Sequence, residues 1–144
     1  MAYECLSLGG WITVAIGKSS IGVDIERINP DFPFQDVLAQ SFSQEEQAYV
    51  AASADSRFAF YDVWTRKEAL VKATAKGLDD DFQQVPALDG IHQISSDLIG
   101  AVGDWTVLSF PVSDAYPAAV AYRPMADMPK FYTLDKCIFY TTNL

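Results

Sequence analysis

The feature that most constrains this chain is its longest helical segment. Residues 56–76 run without Gly or Pro from a Ser-Ala-Asp-Ser break to Gly77, which reads as a helix with a glycine stop. At about 100° per residue, Phe60, Val63, Leu70, Val71, Thr74 and Leu78 fall in one broad stripe. That stripe predicts a core face. Tyr61, Trp64, Glu68, Lys72 and Ala75 fall in the adjacent stripe, with Glu68 and Lys72 four residues apart and therefore neighbours. Lys67 falls inside the apolar stripe, where an ammonium is costly unless it snorkels or finds an anion.

The segment Ile-Gly-Val-Asp-Ile-Glu, residues 21–26, raises a related question. As a strand it turns Val23 and Ile25 to one side and Asp24 and Glu26 to the other, their Cα atoms roughly 7 Å apart. Two readings stand side by side. Asp24 and Glu26 can be the solvated face of a strand, and Glu68–Lys72 a surface helix pair contributing a few tenths of a kcal/mol. Alternatively the three carboxylates converge from two rigid elements as oxygen ligands for Mg²⁺, with water and phosphate oxygens completing an octahedron and the lysines taking the remaining phosphate charge.

The rest of the chain frames these elements. Residues 11–17 and 19–28 read as two strands close enough for an antiparallel hairpin. Residues 29–33 read as a loop. Residues 43–52 begin with Ser43 and carry Glu46 three positions on, a capping box opening a short helix. Further strands are expected near 91–95, 104–110 and 118–123, and residues 131–140 are apolar and β-prone. Repeats, linkers and low-complexity tracts are absent. The expectation is one α+β domain over 1–144, an antiparallel sheet packed on the long helix.

Composition narrows the function classes. With 144 residues, half of them apolar, the chain is long enough for a substantial core. A net charge of −9 and no basic stripe argue against nucleic acid and against an anionic membrane surface. No run of about eighteen apolar residues suggests a membrane span. No secretory signal is evident, and Cys5 and Cys137 stand far apart without metal-ligand spacing, so free thiols and a cytoplasmic location are expected. His92, the one histidine, reads as a half-exposed structural residue.

The two charged segments carry a resemblance. Ile21-Gly22-Val23-Asp24-Ile25-Glu26 matches a (V/I)G(V/I)D strand followed by an acidic residue. Trp64-Thr65-Arg66-Lys67-Glu68-Ala69-Leu70-Val71-Lys72 matches W-(S/T/C)-x-K-E-(A/S)-x-x-K. Phe42-Ser43-Gln44-Glu45-Glu46, Ala75-Lys76-Gly77-Leu78 and the stretch from Trp105 to Ala121 follow in the same order. The sequence resembles the 4′-phosphopantetheinyl transferase superfamily over roughly residues 11–122. Within that family it resembles single-module carrier-protein synthases and the second half of two-module members.

The resemblance implies Mg²⁺-dependent transfer of the phosphopantetheine arm of coenzyme A to a serine of an apo carrier protein, with release of 3′,5′-ADP. It implies Asp24, Glu26 and Glu68 as metal ligands. It implies Lys72 on the coenzyme A pyrophosphate, Lys67 near the same phosphates, and Glu68 and Lys72 as catalytic residues. A homo-oligomer, dimer or trimer, is implied because single-module members build each site from two subunits. Two positions depart from the family pattern: Leu8 stands where a histidine is usual, and Ala75 replaces the first glycine of G-x-G-L. The alternative is a weak or inactive member that acts as a subunit or carrier-binding accessory.

Overall fold

The computed structural model describes residues 1–74, 82–94, 102–124 and 128–134. Strand β1 (Ala2–Leu8) turns at Gly9 and Gly10 into β2 (Trp11–Gly17), and β3 (Ile21–Ile25) follows. Helices α1 (Phe34–Ser41), α2 (Gln44–Ala52) and α3 (Ser56–Thr74) come next, then a 3₁₀ turn (Phe82–Gln84). Strands β4 (Gly90–Ile94), β5 (Gly103–Ser113) and β6 (Tyr116–Tyr122) complete the described elements. The fold is α+β, with a two-stranded sheet β1-β2 and a four-stranded sheet in the order β3-β6-β5-β4, all antiparallel.

The pairing differs from the expected hairpin of residues 11–17 with 19–28. β2 pairs with β1, Tyr3 lying opposite Ile16 and Leu8 opposite Trp11, while β3 pairs with β6, Asp24 opposite Ala119. The cause is the Gly9-Gly10 turn. Both residues have positive φ, 57° and 86°, the conformation a tight two-residue hairpin turn demands. A side chain at Gly9 would also run into the Tyr116 ring. Helix α1, where the sequence suggested nothing regular, follows Pro33 directly. Residues 131–134 are described and form no strand. The predicted Gly77 stop, Ala75, Leu78, Cys137 and the end of the predicted tail strand lie outside the described residues.

Helix α2 starts as the capping box requires. The Ser43 N–H donates to Glu46 Oε2 at 2.8 Å and the Glu46 N–H donates to Ser43 Oγ at 3.3 Å. Asp55 does the same service for α3, its carboxylate accepting the Phe58 N–H at 2.9 Å. α3 is buried almost all round: Phe60, Val63, Leu70 and Val71 are in the core as expected, but so are Tyr61, Thr65, Arg66 and Ala69. One end of α3 joins an aromatic cluster with Phe34, Phe42 and Phe60, and the other packs on Trp105, Val107, Ala119 and Ala121 of the sheet. Trp64, Glu68 and Lys72 are half-buried along one i, i+4 row, and Thr74, expected in the core stripe, is half-buried as well.

Gly22 sets how close α3 lies to β3. A Cβ there would collide with the Ala69 carbonyl oxygen and the Ala73 amide nitrogen. Only glycine lets the two backbones approach this far. That approach brings the next helix-facing residue of the strand, Asp24, against Lys72.

Candidate active site

Asp24 projects from β3 toward α3 and is buried, with 3 % of its surface exposed. Its Oδ1 accepts a 2.7 Å hydrogen bond from Lys72 Nζ, which also makes the pair a salt bridge. Its Oδ2 is buried with no hydrogen-bond partner. Leaving a carboxylate oxygen bare in the interior is costly, so this atom marks unmet binding capacity. Glu26 follows just beyond the strand, its N–H donating to the Pro117 carbonyl at 3.0 Å. Glu68 lies one helical turn before Lys72.

These groups form one electrostatic unit. Burial pushes the Glu26 carboxyl up to about 7, and the neighbouring Asp24 and Glu68 carboxylates add to the shift; Lys72 and a hydrogen bond from Trp64 oppose it. Glu68 is raised by burial and then by Asp24, against Lys72. Asp24 is raised by burial, against its hydrogen bond and charge attraction to Lys72 and the Ile25 backbone. Three carboxylates thus share one ammonium, and like charges held together out of water favour protonation or a cation.

The sequence expected Asp24, Glu26, Glu68 and Lys72 to belong together, and α3 and β3 bring these four into mutual electrostatic contact. Among the described residues no three His, Cys, Asp or Glu side chains stand in metal-ligand arrangement. The donor set still fits a hard divalent cation: all-oxygen ligands, excess negative charge and a bare Oδ2.

Lys67 is not brought to this cluster. Its side chain has no exposed surface and pairs with Glu46 Oε2 at 2.9 Å. Its ammonium also donates to the carbonyls of Phe82 at 3.1 Å, Gln83 at 3.4 Å and Val85 at 2.5 Å. Those contacts use its donors within the core, so the expected place near coenzyme phosphates is replaced by a cage joining α2, α3 and residues 82–85. Glu46 completes the cage by accepting the Ala87 N–H at 3.0 Å. His92 is half-buried, its Nε2 2.5 Å from the Leu88 carbonyl, as a structural residue should be.

Two residues that the sequence placed have roles it did not assign. Trp64 lies one turn before Glu68, opposes the upward shift of Glu26, and borders a cavity of about 270 Å³ that Glu26, Asn29, Phe32 and Tyr61 also line. Its i, i+4 spacing from Glu68 placed it on that stripe; its hydrogen bond to Glu26 depends on a residue of another element. Glu46 was read only as a capping residue; that it lies on the buried side of α2 was the clue to a second role.

Comparison with known proteins identifies the family. Residues 20–121 match the family model described as the 4′-phosphopantetheinyl transferase superfamily. The chain is 29 % identical over 122 residues to the 4′-phosphopantetheinyl transferase psf-1 of Bacillus pumilus, covering 82 % of this chain and 51 % of that protein. It is 29 % identical over 132 residues to the 4′-phosphopantetheinyl transferase Sfp of Bacillus subtilis strain 168, covering 88 % and 56 %. A third relative, the 4′-phosphopantetheinyl transferase gsp of Aneurinibacillus migulanus, is 32 % identical over 70 residues, 47 % of this chain and 29 % of that one. The chain spans about half the length of the first two. The matched region holds β3, α3 and every residue of the carboxylate–lysine cluster, and the chain belongs to the 4′-phosphopantetheinyl transferase superfamily.

Proposed function

We propose that the protein transfers the 4′-phosphopantetheine group of coenzyme A to a serine hydroxyl of an apo carrier protein. The observation that carries this reading is the buried Asp24 with one oxygen on Lys72 and the other bare, inside the family's own motif. The serine Oγ forms a new bond to the phosphorus that bears the pantetheine arm. The pyrophosphate P–O bond breaks, 3′,5′-ADP leaves with the bonding electron pair, and the serine proton passes to a base.

Asp24, Glu26 and Glu68 would hold Mg²⁺, which when bound neutralises charge on the departing 3′,5′-ADP. Lys72 supplies the nearest cation to the same charge and orients Asp24. Glu68 takes the serine proton, directly or through a metal-ordered water. Lys67 serves by fixing the helix that carries Glu68 and Lys72. A homo-oligomer and a cytoplasmic location belong to the same reading; among the described residues no helix is long and apolar enough to cross a membrane.

The test is direct. Apo carrier, coenzyme A and Mg²⁺ are incubated with the protein, and the carrier is weighed by mass spectrometry. A gain equal to the phosphopantetheine arm, Mg²⁺-dependent and about a hundredfold slower or worse in Glu68→Ala, supports transfer. A second reading, an accessory member that binds without transferring, is favoured by Leu8, half-buried opposite Trp11 at the position of the family histidine. Coenzyme A binding with no mass gain on any carrier would select it.

A further inference from the structure

Where residues of α1, α3 and the segment after β3 meet, they enclose a cavity of about 270 Å³. The rings of Phe32, Phe60, Tyr61 and Trp64 line it, together with Asn29 and Glu26. The rings brace one another. Phe60 stacks on Trp64 with centroids 6.0 Å apart, and Tyr61 meets Phe60 edge-on at 5.3 Å. Phe32 touches both Phe60 and Tyr61, at 6.2 Å and 6.4 Å. The segment carrying Asn29 and Phe32 is fixed as well. Arg57 donates to their two carbonyls at 3.0 Å and 2.6 Å, and the Asn29 N–H donates to the Tyr61 hydroxyl at 3.3 Å. The walls are thus preformed, as small-molecule sites usually are.

Glu26 is the one charged side chain among the described lining residues. The Trp64 side chain hydrogen-bonds to it, which sets a carboxylate beside an indole ring. Asp24 and Glu68 are close enough to add negative potential, and Lys72 Nζ is committed to Asp24 Oδ1 at 2.7 Å. The Arg57 guanidinium lies over the ring of Phe34, 5.0 Å from its centroid, and Phe34 does not line the cavity.

Such a space turns away most ligands. An anion meets the carboxylates. A neutral apolar molecule covers the Glu26 carboxylate without answering it, and a charge taken out of water without a partner is costly. A metal ion binds oxygens and gains nothing from filling an apolar cavity. An organic cation with an apolar body satisfies both halves. Its charge pairs with the carboxylate and lies against aromatic faces, which attract cations, Trp most of all.

We propose that this cavity is a binding site for a small organic ammonium with an apolar body. The cationic head sits at Glu26 and Trp64, and the body lies among Phe32, Phe60 and Tyr61. The inference rests on the cavity and its charge, and it holds whether or not the chain transfers phosphopantetheine.

Ligand-observed NMR titration of the metal-free full chain at pH 8 tests it, with 3-phenylpropylammonium as the probe and 3-phenylpropanol as its neutral analogue. The expected result is saturable binding of the ammonium at about 1 mM or below, with the alcohol about tenfold weaker or worse. Glu26→Gln should weaken the ammonium about tenfold and leave the alcohol unchanged, a split that a mere change of cavity shape does not produce. Phe32→Leu should weaken both. An unchanged unfolding midpoint shows that each variant folds; Trp64→Phe, which keeps a ring and loses the indole, carries the test if Glu26→Gln does not. No saturable binding overturns the proposal, and so does an alcohol that binds as tightly as the ammonium. Ammonium binding indifferent to the substitution at Glu26 also overturns it, since the charge is then answered elsewhere.

Discussion

Lys67 and Lys72 stand on the same helix, one with no exposed side-chain surface and the other with 27 % exposed. Lys67 is fully answered: one carboxylate and three carbonyls surround it, and Glu46 in turn holds two backbone amides. Lys72 is under-answered in reverse. It faces three carboxylates at once and leaves Asp24 Oδ2 without a partner. The first cluster closes a core. The second holds negative charge that nothing among the described residues neutralises, which is the condition in which a site takes up a cation or a proton. Burial of a charge alone therefore says little about function; the balance of its partners separates the two cases.

The largest effect should come from breaking the closed cluster. Lys67→Met leaves Glu46 buried without its cation and should cost about 3–5 kcal/mol in urea unfolding. Adding Glu46→Leu to it should recover less than an isosteric pair replacement usually does, because Glu46 also accepts the Ser43 and Ala87 amides. The open cluster should respond the other way. Lys72→Met should slow carrier modification about a hundredfold, roughly 2.7 kcal/mol of transition-state stabilisation, while its unfolding midpoint falls much less than that of Lys67→Met. Equal losses of stability in the two variants would erase the distinction.

Gly22→Ala sharpens the comparison from the backbone side. The added methyl meets the Ala69 carbonyl and the Ala73 amide, neither of which can turn aside, so α3 must move off β3. Overpacking of this kind costs about 1–3 kcal/mol. It should also weaken transfer beyond that loss, since the same shift separates Asp24 from Lys72; the Lys67 cage, which ties α3 to α2 and residues 82–85 rather than to β3, should persist. Ser43→Ala removes one half of the α2 capping box and should cost about 1 kcal/mol, with transfer unaltered.

What the sequence disclosed follows local rules. The capping box at Ser43 and Glu46 and the span of α3 each depend on neighbours within four residues. What it hid depends on distant partners. Nothing near residue 21 announces that β3 pairs with β6 rather than β2; the Gly9-Gly10 turn, which takes β2 for β1, lies elsewhere. Lys67 was conspicuous as a charge in an apolar stripe, and the requirement for an anion was readable. The identity of that anion was not, because Glu46 lies on another helix and the three carbonyls follow α3 in the chain. The likeness in motif grouped Lys67 with Lys72, although their side chains leave α3 in different directions.

The smallest expected effect is on stability against pH, because Glu26 is half-buried and water screens its charge. Its carboxyl titrates near 7 in the folded chain against an ordinary value of 4.5. Between those two pH values the folded state holds a proton that the unfolded state has lost. Stability of the metal-free protein therefore falls as pH rises from about 4.5 to about 7, the reverse of a carboxylate held by a salt bridge. Glu26→Gln should flatten that slope. Saturating Mg²⁺ should reverse the slope in the parent chain by favouring the ionised carboxylates. Thermal unfolding at pH 5 and pH 8, with and without Mg²⁺, measures both; an unchanged slope in Glu26→Gln would move the excess charge off this cluster.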